Sequence, residues 1–237
     1  MNFVIPSKNR SESIAGKTLR LIPDAFVCVA ENEYNDYKKI CDAKKIIVHP
    51  NEIVGIGPLR NWIVQNLSGD AVVMLDDDIT HIYDQTNYKK IRIEEPNHCM
   101  SILERTAIAA ADAGCKIFGY TQMATPLSYR PFLPIALNTW VGGVVGVIGK
   151  DTRWDDDLIL RADIDACLRS LLKDRITWVD TRYCWIHMRF VGSGGNNLMR
   201  SMARHEYEIK KLKTRWGRYL GLKKEKGTIR LTIQLKR

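Results

Sequence analysis

The chain has 237 residues, of which 45% are hydrophobic and 27% charged. That balance argues against a disordered, collagenous or low-complexity protein and allows a sizeable core without disulfides. The net charge is +9, but residues 1–199 hold 23 Lys+Arg against 24 Asp+Glu while residues 200–237 hold 13 against 3. A near-neutral body with a basic appendage points to a polyanionic partner, most often nucleic acid. Six cysteines without a Cys-x-x-Cys pair argue against a zinc ribbon and suit a reducing, cytoplasmic setting. The first apolar run is too short for a secretory leader. The most apolar stretch, 133–149, is broken by Asn138 and four glycines, so a soluble protein is expected.

In chain order, Phe3-Val4-Ile5 reads as a strand stopped by Pro6, Phe26–Val29 as a second and Lys45–Val48 as a third. Pro58 opens a helix to Leu67. Ala71–Leu75 is an unbroken apolar strand of the kind buried on both faces of a parallel sheet. A helix follows over 99–113, a strand over 116–120, a helix over 158–172 and an aromatic-rich strand around Tyr183 and Trp185. The alternation predicts an α/β sandwich of three layers with a mainly parallel central sheet. Apolar or aromatic residues at 198, 202, 205, 209, 212, 216 and 220 predict a C-terminal helix ended by Gly221. Its other face carries Arg200, Arg204, Lys211, Arg215 and Arg218 in one stripe, which could track a phosphate backbone or simply be solvated. Residues 228–235 alternate as a half-buried strand. The chain therefore divides into a body, 1–197, and a basic helix and strand, 198–237, packed on it.

Asp76-Asp77-Asp78 follows directly on the buried strand 71–75. Ligands of open α/β sheets sit at the carboxyl ends of strands. Adjacent carboxylates repel, and a hard divalent cation relieves that repulsion while leaving positions for phosphate oxygens. The triplet thus suits Mn²⁺ or Mg²⁺ with a diphosphate, against the plainer reading of a solvated turn. The polar loop Pro6-Ser7-Lys8-Asn9-Arg10, Glu31 after the second strand, and Arg60 on the first turn of a helix are candidates for the same ligand. Asp163, near a helix start, is either a cap or a general base. Asp155-Asp156-Asp157 is a rival acidic cluster, but Trp154 rather than a buried strand precedes it, which favours a surface turn. The segment 191–197 reads either as a lid over the diphosphate or as a linker.

This set of motifs resembles the GT-A class of nucleotide-sugar glycosyltransferases. The resemblance rests on 5–10, on Asp76-Asp77-Asp78, on Trp140-Val141-Gly142-Gly143, on Arg161-Ala162-Asp163, and on His187 in Trp185-Ile186-His187-Met188. It covers about residues 1–190. The loop 5–10, the compact size and the basic end look most like the phage TET-associated glycosyltransferases, which are thought to glycosylate hydroxymethylated pyrimidines in DNA. The resemblance implies a GT-A fold and a donor that is a nucleotide sugar, most often a UDP-sugar. It implies Mn²⁺ or Mg²⁺ on Asp78 and His187, with Pro6, Ser7, Arg10, Glu31, Arg60, Asp76 and Asp77 around the nucleotide. Trp140, Gly142 and Gly143 would face the acceptor, and Asp163, supported by Asp165, would be catalytic. The acceptor it implies is 5-hydroxymethylcytosine in double-stranded DNA, in the cytoplasm of a phage host. Ala162 stands where the family carries glutamate, which leaves the orientation of the acceptor and the stereochemical course open. Three other readings remain: a nucleotidyltransferase, whose glycine-rich phosphate loop is missing here; a transferase acting on a protein or glycan; and a non-catalytic DNA-binding protein on a transferase-like fold.

Overall fold

A computed structural model describes residues 1–67, 69–188, 201–225 and 228–235. Ten strands form one sheet: β1 (Asn2–Pro6), β2 (Phe26–Ala30), β3 (Ile46–His49), β4 (Ala71–Leu75), β5 (Ile79–Asp84), β6 (Ile91–Ile93), β7 (Ile117–Thr121), β8 (Ile135–Ala136), β9 (Val144–Ile148) and β10 (Trp178–His187). Their order is β3-β2-β1-β4-β9-β7-β10-β5-β6, with β8 beside β10. Strands β1, β2, β3, β4, β6, β7 and β10 point one way, and β5, β8 and β9 oppose them.

Side chains alternate across the sheet, so Phe3, Ile5, Val73 and Leu75 enter one core while Val4, Val72 and Met74 enter the other. Both faces are covered, which is why β1 and β4 read as unbroken apolar runs. The first face carries α1 (Ser11–Ile14), α2 (Thr18–Leu21), α3 (Tyr34–Tyr37) and α5 (Pro96–Asp112), contributing Ile14, Leu21, Tyr37, Ile102 and Leu103. The second carries α4 (Ile56–Asn66), α6 (Ala162–Lys173) and α7 (Met202–Trp216), contributing Leu59, Ile63, Leu168 and Leu212. The result is the three-layer α/β architecture anticipated from sequence. Among the described residues no helix is long and apolar enough to cross a membrane.

Two helix ends differ from the expectation for local reasons. Helix α6 begins at Ala162 rather than near Leu158. The amides of Ile159 and Leu160 instead donate to the buried carboxylate of Glu208, at 2.9 and 3.0 Å. Helix α7 stops at Trp216, where Gly217 takes the C-cap with φ of +49°. Leu220 and Gly221 belong to β11 (Leu220–Glu225), which pairs antiparallel with β12 (Thr228–Ile233).

The basic stripe on α7 is corrected by its contacts. Arg204 donates to Glu208 at 2.8 Å and to the Asp157 carbonyl. Lys211 reaches Asp155 and Asp157 at 3.0 and 2.9 Å, and Arg215 reaches Asp155 and Asp165 at 2.6 and 2.8 Å. Lys211 and Arg215, with Arg204 through Asp157 at 3.6 Å, face carboxylates of the body that hold the helix down, while Arg204 also pairs with Glu208 on the same helix. They do not form an open track for phosphates. Arg218 alone of the described stripe stays clear of carboxylates, its guanidinium over the Tyr219 ring. Arg200 and the segment 191–197 lie outside the described residues. Asp155-Asp156-Asp157, expected as a plain surface turn, supplies two of the docking acids.

Candidate active site

Asp76, Asp77 and Asp78 form the turn between β4 and β5 at the carboxyl end of the parallel wing of the sheet. Both ends of the turn are pinned by one hydroxyl: Thr18 Oγ1 donates to the Asp76 carbonyl at 2.6 Å and accepts from the Ile79 amide at 2.9 Å. The Asp76 amide donates to the Gly143 carbonyl at 2.8 Å, and the Met188 amide to the Asp78 carbonyl at 3.0 Å. The acidic turn is thereby tied to the 140–143 loop and to the end of β10. A register shift between Ile186 and His187 breaks the pairing with β5 there, the kind of bulge that re-aims a side chain.

The re-aimed imidazole completes a cluster. His187 Nδ1 lies 3.3 Å from Asp78 Oδ1 and 3.6 Å from Asp76 Oδ2. One ligand atom from each of Asp76, Asp78 and His187 falls within 4.8 Å of the other two. Two carboxylate oxygens and an imidazole nitrogen are a donor set that fits Mn²⁺ or Mg²⁺. Desolvation in the cleft pushes the Asp76 carboxyl up to about 6; Asp78 and Asp163 add to this and His187 and Arg60 oppose it. Burial also acts to raise Asp78, but the hydrogen bond and charge of His187, with Arg10 and Lys17, bring it below the usual carboxylate range. Carboxylate charge concentrated in this way is relieved by a bound cation.

Asp77 has a different place from its neighbours. Its Oδ2 accepts from Ser7 at 2.6 Å and its Oδ1 accepts from Arg10. Ser7 Oγ also sits 2.7 Å from the Tyr37 hydroxyl, which accepts from the Arg10 amide at 3.1 Å. With both oxygens engaged and only 6% of the residue exposed, Asp77 holds the 7–10 loop in place rather than reaching a nucleotide.

Asp163 stands in the first turn of α6. Its Oδ1 accepts from the Arg60 guanidinium and, at 3.0 Å, from the Trp154 indole. Arg60 is 2% exposed, so it orients Asp163 rather than lying open to a phosphate, and its Nε is buried without a hydrogen-bond partner. Arg60 also lies 3.5 Å from Asp76, linking the two acidic sites. The other Asp163 oxygen faces the 140–143 loop: a Cβ built on Gly142 would lie 3.3 Å from Oδ2. Gly143 has φ of +75°, and a Cβ there would strike the His187 ring, so this position requires glycine.

These groups share one cleft of about 420 Å³, within the usual size of a small-molecule site. Pro6, Ser7, Arg10, Asp76, Asp77, Asp78, Trp140, Gly142, Gly143, Asp163 and His187 all line it. Glu31 lies beside it, accepting a hydrogen bond from the lining residue Asn51. Asp165 is elsewhere. It is fully buried, held by Arg169 at 2.7 Å, Arg215 at 2.8 Å and the Trp216 indole at 2.8 Å. It anchors α7 and is not a catalytic group.

Sequence reasoning missed Thr18, Tyr37 and Trp154, whose partners are distant in the chain. It also missed His49, Asn51 and Gly55, which line the cleft after β3. The rule that ligands gather at carboxyl ends of parallel strands would have reached these three.

The family model for the TET-associated glycosyltransferases matches residues 1–196. The chain belongs to that family. No curated protein matches it. Among solved structures, glucosyl-3-phosphoglycerate synthase from Mycobacterium tuberculosis, in complex with Mn²⁺, UDP-glucose and phosphoglyceric acid, is similar at 15% identity and a TM-score of 0.54. The match covers 97% of this chain and 85% of that one. The same enzyme with Mg²⁺ and UDP gives 14% identity, a TM-score of 0.52 and coverage of 98% and 86%. S. aureus TarS 1–349 is similar at 12% identity and a TM-score of 0.48, over 78% of this chain and 59% of that one. This TET-associated glycosyltransferase therefore has the GT-A fold, and it spans 59% of that TarS fragment.

Proposed function

We propose that the protein is a metal-dependent glycosyltransferase that moves a sugar from a nucleotide sugar, a UDP-sugar, to 5-hydroxymethylcytosine in DNA. The observation that carries this reading is the Asp76, Asp78 and His187 cluster sharing one cleft with Asp163. Membership of the TET-associated family supports the acceptor, and the synthase complexed with Mn²⁺ and UDP-glucose supports the donor. Six free, buried cysteines suit a reducing compartment, here the cytoplasm of a phage host.

Asp76, Asp78 and His187 would hold Mn²⁺ or Mg²⁺. Bound there, the ion would offset the charge that builds on the departing diphosphate. Asp77 fixes the 7–10 loop against which the nucleotide lies, with Pro6, Ser7 and Arg10 facing the cleft and Glu31 beside it. Arg60 and Trp154 hold one oxygen of Asp163, leaving Oδ2 toward the loop of Trp140, Gly142 and Gly143. There Asp163 takes the proton of the acceptor hydroxyl as its oxygen bonds to the anomeric carbon. The bond from that carbon to the diphosphate breaks through an oxocarbenium-like state, and UDP carries away the electron pair. Mass spectrometry of nucleosides tests the reading. Hydroxymethylcytosine DNA is incubated with a panel of nucleotide sugars and Mn²⁺, beside Asp78→Ala. A glycosylated nucleoside from the wild type alone is the expected result. Unmodified nucleosides together with a glycosylated protein or glycan would replace the acceptor.

A further inference from the structure

Arg204, Lys211 and Arg215 of α7 are engaged by carboxylates of the body, which turns attention to cations nearer the cleft. Two segments pack on each other next to the chain that carries the cleft-lining residues Gln122 and Trp140. The first is the β5–β6 tip, 85–90. The second is the long connection from β7 to β9, which leaves the cleft at Gln122 and returns to it at Trp140. Both hang from β10: the Gln85 amide donates to the Arg182 carbonyl at 3.0 Å, and the Thr181 amide to the Pro134 carbonyl at 2.9 Å. They also hold each other, through a bond from the Thr125 amide to Gln85 Oε1 at 2.9 Å and an edge contact between Tyr88 and Tyr129 at 6.5 Å.

The two segments themselves carry only positive charge, with Asp84 at the base of the tip accepting from the Thr86 amide at 2.8 Å. Residues 85–93 and 122–150 contain no Asp or Glu. Arg92 pairs with Glu94, but among the described residues Lys89, Lys90 and Arg130 form no ion pair. Between these cations stand exposed rings and aliphatic side chains: Leu127 is 90% exposed, Phe132 77% and Tyr88 51%. Isolated apolar side chains on a surface need no explanation, but a cluster fixed by hydrogen bonds on a loop that joins two cleft-lining residues does. Interleaved cations and rings without carboxylates are complementary to phosphates and bases.

We infer that the 85–90 tip and the 123–133 loop form the DNA-binding surface, with Lys89, Lys90 and Arg130 on phosphates and Phe132 and Leu127 as wedges that free the target base. The inference rests on the proposed acceptor. A base that leaves the stack can bring its hydroxymethyl group from the major groove to Asp163 inside the cleft, and apolar side chains inserted at a base step favour that exit.

The test uses the full chain and a labelled duplex containing hydroxymethylcytosine, with binding followed by anisotropy from about 50 to 200 mM salt. Lys89→Glu/Lys90→Glu/Arg130→Glu is expected to bind more than about tenfold more weakly, with a salt slope shallower by about 3. Its affinity for UDP with Mn²⁺ stays at the wild-type value. Should that variant fail to bind UDP, Lys89→Gln/Lys90→Gln/Arg130→Gln is read the same way. Phe132→Ala is expected to slow transfer to duplex about fivefold or more while leaving transfer to single-stranded acceptor unchanged. A triple variant that binds duplex like the wild type overturns the surface and leaves the acceptor reading standing. An equal loss on both acceptors overturns the wedge. A wild type that neither binds nor modifies DNA removes the acceptor reading and the surface with it. Transfer to a protein that still needs the three cations overturns nucleic acid as the occupant.

Discussion

Arg215 on α7 reaches the fully buried Asp165 on α6 at 2.8 Å, 50 residues away in sequence. That contact turns what looks like half of a catalytic motif into a structural bolt. A buried carboxylate is tolerated only when its lone pairs are met, and here Arg169, Arg215 and Trp216 meet them.

Arg215→Ala is therefore expected to destabilise the protein by about 2–4 kcal/mol, less than the full cost of an orphaned buried charge because Arg169 and Trp216 remain. Denaturant unfolding measures this. UDP binding in the presence of Mn²⁺ should be unaffected below the transition, since Arg215 does not touch the cleft.

Acid should loosen the same joint only at low pH. Burial acts to raise Asp155, but hydrogen bonds from Lys211 and Arg215 outweigh it and bring the carboxyl down to about 2. A carboxylate lowered on folding contributes its stability above its unfolded value, and loses it as pH falls from about 4 through the folded value. The stability difference between wild type and Asp155→Asn should stay constant from pH 7 to about 4 and narrow below that. Guanidinium midpoints at a series of pH values test it, and a gap that closes between pH 7 and 5 would contradict the assignment.

The body of this fold was legible because β1 and β4 are buried on both faces and so announce themselves as apolar runs. The acidic turn was legible because it follows directly on β4, and His187 because it ends an aromatic strand. What could not be read were contacts made across the chain. The stripe of Arg204, Lys211 and Arg215 is visible in the helical spacing, but apart from Glu208 on the same helix its acids sit on a turn and on α6. Asp165 stands four residues before Arg169 on α6, but its other partners come from α7. Strand β9 was missed because Gly142, Gly143, Gly146 and Gly149 surround its valines and read as loop. Tertiary context decides such cases over local pattern.

Trp154→Phe removes one hydrogen bond to Asp163 and keeps most of the ring's packing. A hydrogen bond to a charged group is worth about 1.5–3 kcal/mol, so kcat for transfer should fall about 10- to 100-fold. The KM for the donor should hold, because the indole meets Asp163 and not the acidic cluster. Steady-state kinetics separate the two, and a rise in donor KM at constant kcat would show that Trp154 does not act through Asp163.

Gly143→Ala places a methyl group against the His187 ring and forces a non-glycine residue to φ of +75°. The backbone strain alone costs about 1–2 kcal/mol. The displaced imidazole should weaken Mn²⁺-dependent UDP binding more than tenfold. Calorimetric titration of the folded variant reads this directly.

The central claim is that Asp76, Asp78 and His187 grip a divalent cation that carries a nucleoside diphosphate. Calorimetric titration of UDP into the wild type and Asp78→Ala, each with Mn²⁺ and with a chelator, tests it most directly. Tight binding only for wild type with Mn²⁺ is the predicted result. Equal binding by Asp78→Ala, or binding by the wild type that is indifferent to the chelator, would contradict it.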